Sequence, residues 1–475
     1  MVFSSPVFLF LFLPIMLLTY FLVPRALKNY CLLAGSLFFY AWGEPVLVVI
    51  MLLSIGMNYL FALIVDARRD SSAQLKWIMA VMIAANLGIL IVFKYAQFLI
   101  GSLNTLLSIS IEIPDIPLPI GISFFTFQSI SYVIDVYRKD GEAQKNPFNV
   151  GLYISLFPQL IAGPIVRYQT IAAQIKERRE TIAGFAYGIR RFIIGLGKKV
   201  IIADSCGSIA DQIFAQNPAD LSSGLAWIGI IAYTFQIYFD FSGYSDMAIG
   251  LARMFGFNLL ENFNYPYISK SIGEFWRRWN ISLGSWFRDY VYIPLGGNRK
   301  GEVHTYINLL IVWTLTGVWH GADWTFVLWG TYNGLFIMLE KAFLGKMLKQ
   351  SSRVFAHVYA MFVVVTGFVF FRSNSFSYAF SYLGSMFGFN GSGSWGIDAS
   401  FQLAENGIIL VIALIASTPL LKKVCASLEN KAKQSSNLRA AGYRFAATGS
   451  YSIVLLMSVV YMISNTFNPF IYFRF

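Results

Sequence analysis

Residues 308–330 read NLLIVWTLTGVWHGADWTFVLWG. Two apolar runs meet at a corner rich in Gly and Trp, and an imidazole, His320, stands at that corner. The runs lack the apolar/polar alternation of a membrane-spanning strand. They read instead as helices, extending to roughly 305–319 and 324–345. In lipid, a helix satisfies its own backbone N–H and C=O groups, which an open strand cannot do.

The rest of the chain repeats this pattern. Of its 475 residues only 13% are charged and the mean hydropathy is +0.60, whereas a soluble domain carries roughly a quarter charged residues. Apolar runs near the ~20 residues that span a bilayer fall at roughly 6–23, 30–43, 46–65, 77–93, 119–136, 150–165, 184–203, 224–250, 305–319, 324–345, 354–371, 406–421 and 448–466. The fold class is therefore an all-α polytopic membrane protein, organised as one transmembrane domain over 1–475. The run 150–165 contains FPQLIAGPIVR, and its Pro158, Gly163 and Pro164 predict a broken, buried segment lining a cavity. The first 25 residues lack a basic n-region and a small-residue cleavage site, so they read as a retained span.

The net charge of +12 does not call for nucleic acid. The basic residues cluster in DARRD (66–70), 167–199, 270–300 and KKVCASLENKAK (422–433), which the positive-inside rule places on the cytoplasmic side. The basic-free loop 389–400 falls outside. Cys31, Cys206 and Cys425 are far apart and read as packing residues.

Segment 256–302 is too charged to span and too aromatic for a plain loop. Trp276, Trp279, Trp286 and Phe287 alternate with Arg277, Arg278, Arg288 and Asp289. It reads as an interfacial or re-entrant helix pair on the cytoplasmic side, compatible with a face that admits a charged donor. Within 235–256, Asp240, Ser242, Tyr244, Ser245 and Asp246 interrupt an apolar helix. Intramembrane carboxylates are costly: each pairs with a cation or caps a broken helix, or it lines a reaction chamber. Six residues apart, Asp240 and Asp246 lie on different faces and form no carboxylate pair. Asp135 near the end of 119–136 poses the same choice.

Of the three histidines, His304 lies in a basic loop and His357 at a span's edge. His320 stands between Gly317 and Gly321 and beside Trp319. A buried imidazole titrates near neutrality and suits a general base that takes a hydroxyl proton; the alternative is a hydrogen-bonded core residue. No second His or Cys stands at metal spacing, so neither a metal nor a tightly bound cofactor is expected.

FWRRWNISLGSWFRDYVYIPLGGNRKG followed by LTGVWHGADWTFVLWG resembles the membrane-bound O-acyltransferase family, in its bacterial alginate O-acetyltransferase branch. PIGISFFTFQSISYVIDVYR, FPQLIAGPIVRY, YFDFSGYSDMAIGLARMFGF and the opening MVFSSPVFLFLFLP fit the same branch. The resemblance implies a helical bundle around a central tunnel, and it assigns the family's catalytic histidine to His320. The second signature position falls 40 residues earlier at Asn280. It is commonly His in this branch and often Asn in the wider family, so Asn280 becomes an orienting group that does not titrate. The implied donor is acetyl-CoA from the cytoplasm, with Arg277, Arg278, Arg288, Arg299 or Lys300 near its phosphates. The aromatic tail 467–475 resembles a motif of the related D-alanylation systems in which a tyrosine accepts the acyl group, which makes Tyr472 a candidate relay.

The function expected is transfer of acetyl groups across a bacterial inner membrane to a polysaccharide such as alginate, cellulose or peptidoglycan. An extracytoplasmic partner of the serine-hydrolase-like type would complete the transfer. D-alanyl transfer to teichoic acid is the alternative within the enzyme class, and a transporter or flippase the alternative outside it; the chain has no evident internal repeat.

Overall fold

The computed structural model describes residues 1–69, 72–391, 393–434, 437–464, 470 and 471. Among them there is no strand. Contacts divide the chain into two compact units, 1–192 with 245–260, and 193–244 with 261–475.

The first unit holds α1 (Leu13–Leu22), α2 (Lys28–Gly43), α3 (Val48–Ala67), α4 (Ser72–Leu90), α5 (Ala96–Leu107), α6 (Ile122–Tyr137), α7 (Pro147–Ser155), α8 (Phe157–Leu160), α9 (Tyr168–Glu177) and most of α10 (Ile182–Gly197). α6 is buried over almost its whole length, including Ser123, Thr126, Gln128, Ser129, Ser131 and Asp135. The run 150–165 is indeed broken: α7 ends at Ser155, α8 lasts one turn, and the chain then runs irregularly to Val166 without leaving the interior. Asn58 on α3 and Asn86 on α4 exchange amide hydrogen bonds of 2.9 Å in each direction, which removes the cost of burying both.

The second unit follows with α11 (Asp204–Phe214), α12 (Ser223–Met254), α13 (Ile272–Arg278), α14 (Ile281–Phe287), α15 (Glu302–His320), α16 (Trp324–Leu339), α17 (Gly345–Gln350), α18 (Arg353–Arg372), α19 (Phe376–Met386), α20 (Ile397–Ala416), α21 (Leu420–Lys433) and α22 (Asn437–Ser464). The last turns of α12 belong to the first unit. Its core is aromatic, with Phe214 stacked on Tyr382 at 4.3 Å and Tyr233, Phe239, Trp279, Trp329, Phe368 and Phe371 packed around it.

Every expected span contains a helix, and six helices among the described residues are long and apolar enough to cross a membrane; the others are shorter, broken or more polar. Several elements depart from expectation, among them α22, which begins at Asn437 rather than near 448. The helix expected at 77–93 continues through a π turn, Ile91–Tyr95, into α5, an apolar stretch of 35 residues. α20 starts at Ile397, inside the expected outer loop, because Asp398 in its first turn suits the positive end of the helix dipole. α19 falls outside every expected span: it is short and only half apolar, and the Ser375 hydroxyl accepts the Tyr378 N–H to cap it.

Burial sorts the spans by role. α20 and α22 are 11% and 6% buried, so their apolar side chains face outward, as lipid contact requires. α12 is 83% buried and, at 32 residues, about 48 Å long against a hydrocarbon core of about 30 Å. It is an interior helix, and that is why it can carry two carboxylates.

Candidate active site

The corner at 320–324 is built by glycine and a cap. The Asp323 carboxylate accepts the Thr325 N–H at 2.9 Å and starts α16. A Cβ on Gly317 would collide with the Phe326 carbonyl, and one on Gly330 would collide with the Trp313 carbonyl. α15 and α16 therefore touch backbone to backbone, as small residues allow between membrane helices. This contact brings the last residue of α15, His320, into the protein: it is 3% exposed. Its ring meets Trp319 and Trp329 edge-on, both at 5.0 Å, and Phe371 at 5.4 Å.

Segment 256–302 forms α13 and α14 joined at a sharp bend. The extended residues 261–264 clip that bend. The Asn262 carbonyl accepts the Ile281 N–H and its side-chain oxygen accepts the Ser282 N–H, both at 3.0 Å. The Asn264 N–H donates to the Arg278 carbonyl at 2.9 Å. At the bend sits Asn280, in the left-handed region at φ 43°, ψ 57°. Asn tolerates that conformation better than most residues. Its side chain is buried, and neither amide atom has a hydrogen-bond partner among the described residues.

Aromatic contacts join the two segments. Trp276 lies 5.5 Å from Trp329, which packs on His320, and its indole N–H donates to Asn333 Oδ1 at 3.1 Å. Trp279 lies 5.8 Å from Phe368, which leads through Phe371 to the same imidazole. Thus Trp276, Trp279, Trp319 and His320 belong to one buried aromatic cluster, and Asn280 directly follows Trp279 in the chain. Of its further members, Trp329 falls within the quoted motif LTGVWHGADWTFVLWG without a role assigned to it there, while Asn333 and Phe371 look in the sequence like ordinary apolar-helix residues that no motif marks.

The expected donor-binding cations are placed differently from one another. Arg278 is held by Glu274 at 2.9 Å and by the Asn264 carbonyl at 3.0 Å. Burial pushes the Glu274 carboxyl up, but the Lys270 N–H and Arg278 outweigh it and hold the group below its ordinary range. Arg288 is exposed and chelates its neighbour Asp289 at 2.7 and 3.2 Å. Arg277, Arg299 and Lys300 are exposed. Beside them, the Glu340 carboxylate accepts the Ile272 and Gly273 N–H groups at the start of α13.

The α12 carboxylates are paired separately. Asp246 binds Arg191 at 2.6 Å. Asp240 binds Lys199 at 2.9 Å, and Lys199 also binds Asp204 at 2.6 Å. Lys199 is thus a buried ion-pair partner, unlike the other cations of 167–199 counted as loop charge. Ser242 is buried nearby, its hydroxyl without a partner among the described residues. His304 is exposed, and His357 binds the Ser269 carbonyl at 2.9 Å. Tyr472 lies outside the described residues; the two residues before it, Phe470 and Ile471, are buried.

The sequence profile of the membrane-bound O-acyltransferase (MBOAT) family matches residues 143–383, which include Asn280 and His320. The probable alginate O-acetylase AlgI of Azotobacter vinelandii is 41% identical over the full length of both chains. The chain belongs to the membrane-bound O-acyltransferase family. As a family member it is an O-acyltransferase, on a multi-pass membrane scaffold. The peptidoglycan O-acetyltransferase of Helicobacter pylori is 32% identical over 100% of this chain and 98% of its own. The teichoic acid D-alanyltransferase of Bacillus subtilis is also 32% identical, but over 46% of this chain and 57% of its own.

Proposed function

We propose that this O-acyltransferase moves acetyl groups from acetyl-CoA, bound on the cytoplasmic side of the inner membrane, to a polysaccharide outside. The His320 imidazole takes the proton of an attacking hydroxyl while that oxygen forms its bond to the thioester carbonyl carbon. The Asn280 amide donates to the developing oxyanion. Collapse of the tetrahedral adduct breaks the C–S bond, and the leaving thiolate recovers the proton from His320. The exposed cations Arg277, Arg299 and Lys300 suit the donor's phosphates. The attacking hydroxyl is the Tyr472 phenol, which then presents the acetyl group to an extracytoplasmic serine-hydrolase-like partner.

One observation carries this reading: the buried His320 imidazole packs in an aromatic cluster that includes Trp279, and the next residue, Asn280, buries an amide that has no hydrogen-bond partner among the described residues. Full-length similarity to acetyltransferases, against half-length similarity to D-alanyltransferases, supports acetyl as the group carried. The test supplies acetyl-labelled CoA to inverted membrane vesicles and follows label in the glycan and on the protein. His320→Ala should lose at least 10²-fold in CoA release, and Tyr472→Phe should lose export of label while the protein level holds. Full activity in His320→Ala overturns the mechanism; full activity in Tyr472→Phe overturns the relay alone.

A further inference from the structure

Asp240 sits midway along α12 and is 2% exposed; Lys199, its partner, is 3% exposed. A carboxylate removed from water needs both oxygens engaged, since desolvating it costs several kcal/mol before any pairing. Lys199 Nζ takes Oδ1 at 2.9 Å. The other oxygen, Oδ2, accepts the backbone N–H of Ile471 at 2.7 Å. That donor lies 231 residues further along the chain. The adjoining Phe470 ring packs 4.8 Å from Tyr244 and 6.0 Å from Phe241, which follow Asp240 on α12 within about one turn. A buried backbone N–H requires an acceptor. Here the lysine-paired carboxylate supplies it, and two aromatic rings of the same helix hold the preceding Phe470.

We propose that Asp240, held by Lys199 and through it by Asp204, is the docking point of the C-terminal tail and a positioning residue for acyl transfer. The residue joined directly to Ile471 is Tyr472, the candidate relay. The positioning role rests on the relay reading above. The docking role stands on the hydrogen bond and the ring contacts alone. It also assigns the triad Asp204–Lys199–Asp240 a purpose: it presents one carboxylate oxygen of a lysine-paired aspartate to a main-chain donor.

The test separates the bond from the triad. Ile471→Pro removes the N–H and leaves Asp240, Lys199 and Asp204 untouched, whereas Ile471→Ala keeps the N–H and trims the side chain. Purified full-length protein with Ile471→Pro should lose ten-fold or more in kcat for acetyl export with the KM for acetyl-CoA unchanged, and Ile471→Ala should stay within a few-fold of wild type. Accessibility is read with Ile471→Cys, which retains the N–H, in a Cys31→Ser, Cys425→Ser background. Its thiol should react with maleimide at least ten-fold faster when Asp240→Leu is added, while Asp240→Asn, which keeps an acceptor oxygen, should restore much of the protection. Equal labelling with Asp240 and Asp240→Leu overturns the docking. Equal kcat in Ile471→Pro and Ile471→Ala overturns the positioning role. Full activity of Tyr472→Phe, with labelling still dependent on Asp240, removes the relay and leaves the docking in place.

Discussion

Asn280 carries two costs at once. Its backbone is left-handed, which costs a residue with a Cβ roughly 1–2 kcal/mol, though less for Asn. Its buried amide has no partner among the described residues, and an unsatisfied buried polar group costs about 1–3 kcal/mol. Strain of this kind persists where a site needs it. Glycine relieves both costs, so Asn280→Gly should melt at the wild-type temperature or above. Its turnover should fall about 10²-fold, the loss that follows removal of one oxyanion donor. Thermal scanning in detergent alongside the acetyl-transfer rate checks this, and a drop in melting temperature matching the drop in rate would make the amide a packing group. Asn280→Leu should do the reverse of glycine on stability, since it adds left-handed strain. His320 stands out in the sequence as a titratable ring set among tryptophans where two apolar runs meet, and its burial is as the residues suggest; its role as base comes from the family resemblance and is tested by the His320→Ala experiment above. Asn280 was legible only as the polar residue at a signature position. Its left-handed bend depends on the clip from Asn262 and Asn264, a tertiary contact that no local pattern announces.

At the scale of elements, the α15–α16 hairpin sets the position of the imidazole. Gly317 and Gly330 face each other across it with no room for a methyl group. Gly317→Val would push the helices apart, and such overpacking typically costs 1–3 kcal/mol. Because His320 is one turn further along α15, transfer should fall by more than stability explains. Gly407 on α20 makes the control: a Cβ there meets only Leu403 at 4.0 Å, so Gly407→Ala should leave both melting and transfer unchanged. Equal behaviour of the two variants would show that the hairpin tolerates separation. The hairpin itself was readable because two apolar runs flank a Gly–Ala–Asp turn with an N-cap. The joined α4–α5 stretch and α19 were not, since a π turn leaves no compositional mark and a short, half-polar helix depends on its neighbours for burial.

At the scale of the whole chain, composition settles the fold class but not the division into units. α12 passes from one unit into the other as a single helix, so no linker marks the boundary. Topology is more accessible, because it follows from charge and crossing number. α21 carries Lys422, Lys423, Lys431 and Lys433 on an exposed surface, which puts it on the cytoplasmic side. α20 precedes it and is long and apolar enough to cross once, so the basic-free residues 389–391 lie outside. α22 follows and is also long and apolar enough to cross, an order that would return the chain to the outer side, as the proposed relay requires. Two probes test this order. Cys425 is native and exposed; with Cys31→Ser it should react with an impermeant maleimide in inverted vesicles and resist it in right-side-out spheroplasts. Phe389, 83% exposed, should give the opposite result as Phe389→Cys in a background with Cys31→Ser and Cys425→Ser. Labelling of both from the outer side would mean that α20 does not cross and that α22 carries the chain to the cytoplasmic side, where a tyrosine relay for export has nothing to deliver to.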